Sequence, residues 1–375
     1  MPHPAIERID SYTLRVPLAR PLADSIYRRT HWHVPVVEVT TSEGLTGTGY
    51  SGLWTGEDLL VQTIETEIAP QLTGRDPRDI HRLWSEVYWS PLHWVGRAGI
   101  AHMAQGMVDI ALWDLAAQRA GQPLWRLLGG RHPVLGTYNT DGGWLNFSER
   151  ELIDDVCGIV DRGWTKVKMK VGGPDLDEDL RRVARVRDAI GDAVTLMVDV
   201  NQRWDLVTAR RALPALAELG VRWLEEPLHP DDVAGHAALV RAGGVPIALG
   251  ENVYSLEHFA AFLRADAVDI VQVDVTRVAG VSEWLRIAHL AQGLGRWVCP
   301  HAGDMCQVHQ HLVGGVGADT PAMIEYLPWA REIFVEPIVV RDGILTLPET
   351  PGASSAIRPD ARERFGAAGR AGAAA

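Results

Sequence analysis

Cysteine is nearly absent: Cys157, Cys299 and Cys306 are the only three in 375 residues. None has zinc-site spacing, and with no signal peptide they are expected to be reduced thiols in a cytoplasmic protein. No run of about 18 apolar residues exists, so no helical membrane span is expected. Positive charge is in deficit. Lys and Arg total 36 against 48 Asp and Glu, a formal net charge of −12. That balance argues against a nucleic acid or an anionic membrane as partner. It leaves room for an anionic small molecule, because a bound divalent metal reverses the local sign. A glycine-rich phosphate turn is missing too: GTYNTDGG lacks the pattern, and GTG at 47–49 reads as a hairpin turn.

What is present is enough apolar residue, 46%, for a large core. The length suits two to three domains, or one α/β barrel with an addition. The 14 tryptophans are expected mainly in the core, with a few in a cleft. Residues 1–128 read as an α+β unit. IDSYTLRVPL and VPVVEVTTSEGLTGTGYS give strands with SEG as a turn, followed by helices over 57–71 and 76–90. AGIAHMAQGMVDIALWDLAAQRAG is a long helix, apolar all round and so expected between two layers. Over 129–330 the pattern becomes eight strands alternating with helices, which implies parallel strands with crossovers and a TIM-type (β/α) barrel. Residues 331–375 form a C-terminal segment whose tail, GAAGRAGAAA, is low-complexity and expected to be disordered.

In such a barrel, chemistry sits at the C-terminal ends of the strands. The second strand ends at Lys170, the third at Asp199 and Asn201, and the fourth at Glu225 and Glu226. The fifth ends at Glu251, the sixth at Asp274, the seventh at His301 and the eighth at Glu325. The spacing is roughly 25 residues, one strand–helix unit, so each unit delivers an ionisable group to one mouth. Asp199, Glu225 and Glu251 converge from adjacent strands and would repel unless a cation joined them. An all-oxygen set favours Mg²⁺. Glu226, next to Glu225 on a strand, is expected to face away. In TKVKMKVGG the alternation puts Lys166, Lys168 and Lys170 on one face.

The series KMKVG, VDVNQRWD, WLEEPL, ALGEN, QVDVTRVAGV and CPHAG resembles the enolase superfamily, in its mandelate racemase branch. The likeness extends over nearly the whole chain, including DIALWDLAAQRAGQPLWRLLGG. It implies a modified barrel with an N-terminal α+β capping domain, to which the C-terminal segment returns. It also implies Mg²⁺ on Asp199, Glu225 and Glu251, with Lys170 as general base and Lys168 as the first lysine of a Lys-x-Lys motif. Asp274 and His301 match the dyad acting from the opposite face. Glu325 matches a glutamate that hydrogen-bonds the enolising carboxylate, as a donor if protonated. Asn201 is expected to support metal or substrate, and Lys166 to have no chemistry. Loops of the capping domain close over the mouth in this family, which makes His31, His33 and Trp54 substrate-contact candidates. The HQH run at 309–311 reads as scaffold. A homo-oligomer is implied as well.

The shared chemistry is removal of a proton α to a carboxylate. A lysine can take it only when neutral, and the second ammonium two residues away, with Mg²⁺, would disfavour charging Lys170. His301 then decides the outcome. Protonating the opposite face gives a racemase or epimerase; protonating a 3-hydroxyl leaving group gives a dehydratase and a 2-keto-3-deoxy acid. The complete set resembles the sugar-acid dehydratases, including the fuconate dehydratase type. The polar, aromatic loops YRRTHWH and YSGLW suit a polyhydroxylated acid. The expectation is therefore dehydration of an aldonate or aldarate, with racemisation, epimerisation or lactone cycloisomerisation as the alternative.

Overall fold

The computed structural model describes residues 3–302, 306–316 and 322–366; of the tail expected to be disordered, all but Gly366 lies outside the described residues. Strands β1 (Ile6–Ala23), β2 (Arg28–Thr41) and β3 (Thr46–Tyr50) form an antiparallel meander in that order. Period-two alternation gives β2 two buried faces. Val34 and Val36 join a cluster with Val273 and Val275 of the second unit. Val37 and Val39 pack instead with Leu60, Ile64, Leu83 and Met107 from the helices of the first unit. The sheet is thus a filling between helices and barrel. Helix Ile100–Arg119 is buried almost all round, as its composition demands.

GTG lies within β3 and not in a turn. The turn is at 42–44, where the Gly44 amide bonds Thr41 at 2.9 Å. Glycine is needed in β3 for another reason. A Cβ at Gly47 or Gly49 would overlap the carbonyl oxygens of Ala111 and Met107 on the long helix.

The second unit alternates strands and helices as the sequence leads one to expect. Its strands are β4 (Val134–Asn139), β5 (Lys166–Lys170), β6 (Thr195–Asp199), β7 (Val221–Glu225), β8 (Ile247–Leu249), β9 (Ile270–Val271), β10 (Trp297–Val298) and β11 (Met323–Tyr326). Parallel ladders join them in the order β11-β4-β5-β6-β7-β8-β9-β10. The inside is packed: Tyr138, Met197, Trp223, Ala248, Ile270, Cys299 and Met323, drawn from around the ring, form one cluster. This is the side-chain layer that fills a TIM-type barrel. At β5 the position in this layer is a lysine: Lys168 is 1% exposed, with Nζ 5.5 Å from the Tyr138 ring. All three cysteines are free thiols.

A hairpin of β12 (Val340–Arg341) and β13 (Ile344–Thr346) pairs antiparallel with the start of β4. The chain then runs back along the first unit. Leu14 bridges Gly366, and the Ala353 amide donates to Asp114 of the long helix at 2.7 Å. Asp114 also accepts from the Thr48 amide at 3.0 Å and Gln118 Nε2 at 2.9 Å, so one buried carboxylate joins β3, the long helix and the C-terminal segment. Among the described residues no helix is long and apolar enough to cross a membrane.

Candidate active site and metal centre

Parallel register sets the first side chains. Lys170 pairs with Asp199, and Asp199 with Glu225, so three ionisable groups end three neighbouring strands at one level. Glu251 follows two residues after β8. The ladders of β9 and β10 are shorter than the apolar runs that carry them, and Asp274 and His301 each stand three residues past a strand end. They are held there by continuing backbone bonds, such as the Gln272 amide to Leu249 oxygen at 2.8 Å.

Carboxylate oxygens of Asp199, Glu225 and Glu251 lie within 4.8 Å of one another. Asn201, at φ 47°, bonds Asp199 through its amide at 2.9 Å and Glu251 through Nδ2 at 3.2 Å. Lys168 Nζ bridges Glu225 at 2.7 Å, Glu325 at 2.8 Å and Asp199 at 3.6 Å. Burial opposes its charge, but these carboxylates overcome it and hold the ammonium well above its usual range. Glu225 also accepts from Trp223 Nε1 and Gln272 Nε2, at 3.1 and 2.8 Å. Glu325 accepts from Thr140 Oγ1 at 2.7 Å. Despite burial, Lys168 and His301 bring Glu325 down to about 2, which favours the ionised form that accepts from Lys168 and Thr140.

Lys170 Nζ is 2.5 Å from Asp199 Oδ2 and 5.4 Å from the Trp144 ring. Burial and Lys168 both push its pKa down, as expected from the Lys-x-Lys spacing. Asp199 outweighs them, and the net direction is upward. The protein's own charges therefore do not neutralise this lysine; a cation shared with Asp199 would cancel that pull. His301 Nδ1 is 2.8 Å from Asp274 Oδ2, and its Nε2 is 3.0 Å from Glu251 Oε2. These contacts keep the imidazole charged against the cost of burial. The carboxylate of Asp274 is itself fixed by the Thr276 amide and hydroxyl, both at 2.8 Å.

The residues fit a hard divalent cation. The converging donors are all oxygens, and Asn201 Oδ1 is a buried acceptor with no partner among the described residues. Glu226 departs from expectation. β7 ends at Glu225, so alternation does not extend to its neighbour, which turns at φ 41° and is 2% exposed. Its carboxyl accepts from Asn252 Nδ2 at 2.9 Å and Gln202 Nε2 at 3.2 Å. Burial beside Glu251 and Asp199 keeps it well above the usual carboxylate range.

Over the mouth, an inner cavity of about 40 Å³ is lined by Lys170, His301, Glu251 and Glu325 and walled by Trp32, Trp54, Trp144 and Trp329. Trp54 thus shares this cavity with Lys170 and His301, its ring centroid 4.0 Å from that of Trp32. His31 and His33 line only a wider outer cavity of about 570 Å³. His31 is exposed beside Thr30, and His33 Nδ1 is 2.9 Å from Glu57. His309 and His311 make internal contacts: His309 Nε2 accepts from the Val275 amide at 3.0 Å, and His311 Nδ1 from the Trp125 amide at 3.2 Å. Lys166, half-buried at the start of β5, lies away from this mouth. Sequence reasoning missed Thr140, Trp144 and Trp329, and the arginines Arg29 and Arg277. All but Arg29, the second residue of β2, sit in loops, where no periodicity marks them.

Comparison with known proteins covers both units. Residues 8–129 match the mandelate racemase / muconate lactonizing enzyme N-terminal domain, and residues 151–361 match the enolase C-terminal domain-like family. The chain is 35% identical to L-talarate/galactarate dehydratase of Salmonella typhimurium, over 92% of this chain and 87% of that one. It is also 35% identical to 3,6-anhydro-alpha-L-galactonate cycloisomerase of Streptomyces coelicolor, over 92% and 95%. The crystal structure of the Salmonella dehydratase liganded with Mg and L-lyxarohydroxamate superposes with a TM-score of 0.92 at 34% identity, covering 98% of this chain and 94% of that one.

Proposed function

Because the chain belongs to the enolase superfamily, in its mandelate racemase branch, we propose that it is a magnesium-dependent dehydratase of sugar acids, converting an aldonate or aldarate to its 2-keto-3-deoxy acid. The observation that carries this reading is the placing of Lys170 and an Asp274-held His301 on the walls of one small cavity. A dehydratase needs a base for carbon and an acid for the leaving oxygen, and each is there on a separate strand end.

Asp199, Glu225 and Glu251, whose carboxylate oxygens converge, would hold the Mg²⁺, which when bound would supply Lewis-acid stabilisation of negative charge on the substrate carboxylate. Lys168, ionised and fixed by Glu225 and Glu325, offers that carboxylate a further positive neighbour. Lys170 Nζ, once neutral, takes the proton from C2. His301 gives the proton of Nε2, the nitrogen not held by Asp274, to the C3 hydroxyl, which leaves as water. The enol that remains ketonises to the 2-keto acid. Asp274 keeps the other ring nitrogen protonated and stabilises the imidazolium before transfer. The tryptophan walls exclude bulk water and face the C–H edges of a polyol.

Purified protein with Mg²⁺ and a panel of aldonic and aldaric acids tests this. A 2-keto-3-deoxy acid should form, and deuterium exchange at C2 should report proton removal. Exchange without keto product would replace dehydration by racemisation or epimerisation. Neither, with any acid, would overturn the reading.

A further inference from the structure

We propose that Arg29 and Arg277 form a seat for a second carboxylate, and hence that the substrate is an aldarate, a diacid, and not an aldonate. This rests on the dehydratase reading above and sharpens it.

The shape of the site comes first. The inner cavity, about 40 Å³, has room for about three water molecules. That accommodates the reacting carboxylate and little more. The rest of a five- or six-carbon chain must pass into the outer cavity of about 570 Å³. Arg29 and Arg277 line both cavities, so they stand at the junction the substrate's far half must cross.

Charge comes second. In a chain of net charge −12, the junction and outer cavity gather Arg28, Arg29 and Arg277 against Asp24 and the metal-site Glu251. Asp24 is already committed. One of its oxygens accepts from the Ile26 and Tyr27 amides at 2.7 Å, and the other pairs with Arg29 at 2.6 Å. Arg29 is 9% exposed, lies 3.5 Å over the Trp54 ring, and keeps a buried Nε without a partner among the described residues. Asp24 and Trp54 thus fix the plane of its guanidinium.

Arg277 is less satisfied. It donates Nη1 to the Gly52 oxygen at 2.6 Å, and among the described residues it pairs with no carboxylate. A half-buried guanidinium without a counter-charge is costly unless an anion arrives. A carboxylate, planar with two acceptors, matches the guanidinium fork. The hydroxymethyl end of an aldonate would leave it unpaired, and a site that loses a charged hydrogen bond on one ligand discriminates strongly against it.

The test compares kcat/KM, with Mg²⁺ present, for each hexarate and the aldonate of the same configuration, which differ only in the terminal group. The aldarate should be preferred by at least about 100-fold. Arg277→Met should shrink the aldarate-to-aldonate ratio by about 10–100-fold, mainly through KM of the aldarate, and Arg277→Lys should restore part of it. A ratio cancels the concentration of folded enzyme, so a merely structural role would lower both substrates together and leave the ratio unmoved. That result, or an aldonate used as well as its aldarate, overturns the proposal while the dehydratase reading stands. If no acid yields keto product or C2 exchange, the dehydratase reading fails and this proposal with it.

Discussion

Replacing Lys168 by methionine removes one ammonium and keeps most of the packing volume. Its Nζ lies 2.7 Å from Glu225 and 2.8 Å from Glu325, and all three side chains are about 1% exposed. Removing one partner of such a buried pair costs about 3–5 kcal/mol, because the other charge is left without a counter-ion. At about 2.1 cal/mol/K per residue, a chain of 375 residues loses about 1.3 °C per kcal/mol, so Tm in EDTA should fall by about 4–6 °C. Magnesium should behave in the opposite way. Asp199 and Glu225 are both metal-ligand candidates and neighbours of Lys168, so the lost ammonium no longer competes with the ion. Calorimetry with and without Mg²⁺ should therefore show a larger magnesium-dependent rise in Tm for Lys168→Met than for the parent, with turnover lost. A variant as stable as the parent in EDTA, or one that gains no more from Mg²⁺, would refute the account of Lys168 as the counter-charge of the trio.

Lys170→Ala should end C2 deuterium exchange for the epimer whose proton it takes, whereas His301→Asn should stop keto product and leave that exchange measurable by NMR; exchange surviving the first change would remove Lys170 as base. Asp114 tests the tie between the units. Burial raises its carboxyl to about 6, above the unfolded value of about 3.9, so its contribution to stability is complete at low pH and is lost as pH rises through about 6. Urea melts should show the difference between parent and Asp114→Asn changing by about 3 kcal/mol across pH about 4–6, and a constant difference would count against the buried-carboxylate assignment.

Much of this was legible in the sequence because a (β/α) barrel converts chain spacing into position. Strand ends recurring every 25 residues or so put Asp199, Glu225 and Glu251 on adjacent strands, and the register of β5, β6 and β7 does level the first two with Lys170. Periodicity holds only while a strand lasts. Glu226 was misread because β7 stops one residue earlier and the backbone turns to positive φ. Asp24, Arg29 and Arg277 escaped notice for a related reason: Asp24 and Arg277 lie in irregular segments and Arg29 at the very start of β2, and their partnerships leave no repeating mark. The protonation of Lys170 was out of reach as well. The sequence gives its distance from Lys168 in residues, but the opposing 2.5 Å contact with Asp199 exists only in the fold.

Strand β5 has a consequence beyond catalysis. Lys166, Lys168 and Lys170 are the only lysines in the chain; every other basic side chain that holds a permanent charge is an arginine, which keeps its proton throughout the accessible range. The entire side-chain ammonium inventory of the protein therefore sits on five consecutive residues, two of them at the reacting centre. Nitrogen-15 lysine labelling would yield three Nζ resonances and no background. The alkaline titration of the protein's amines is, apart from its N-terminus, a titration of the barrel strand that carries the proposed base.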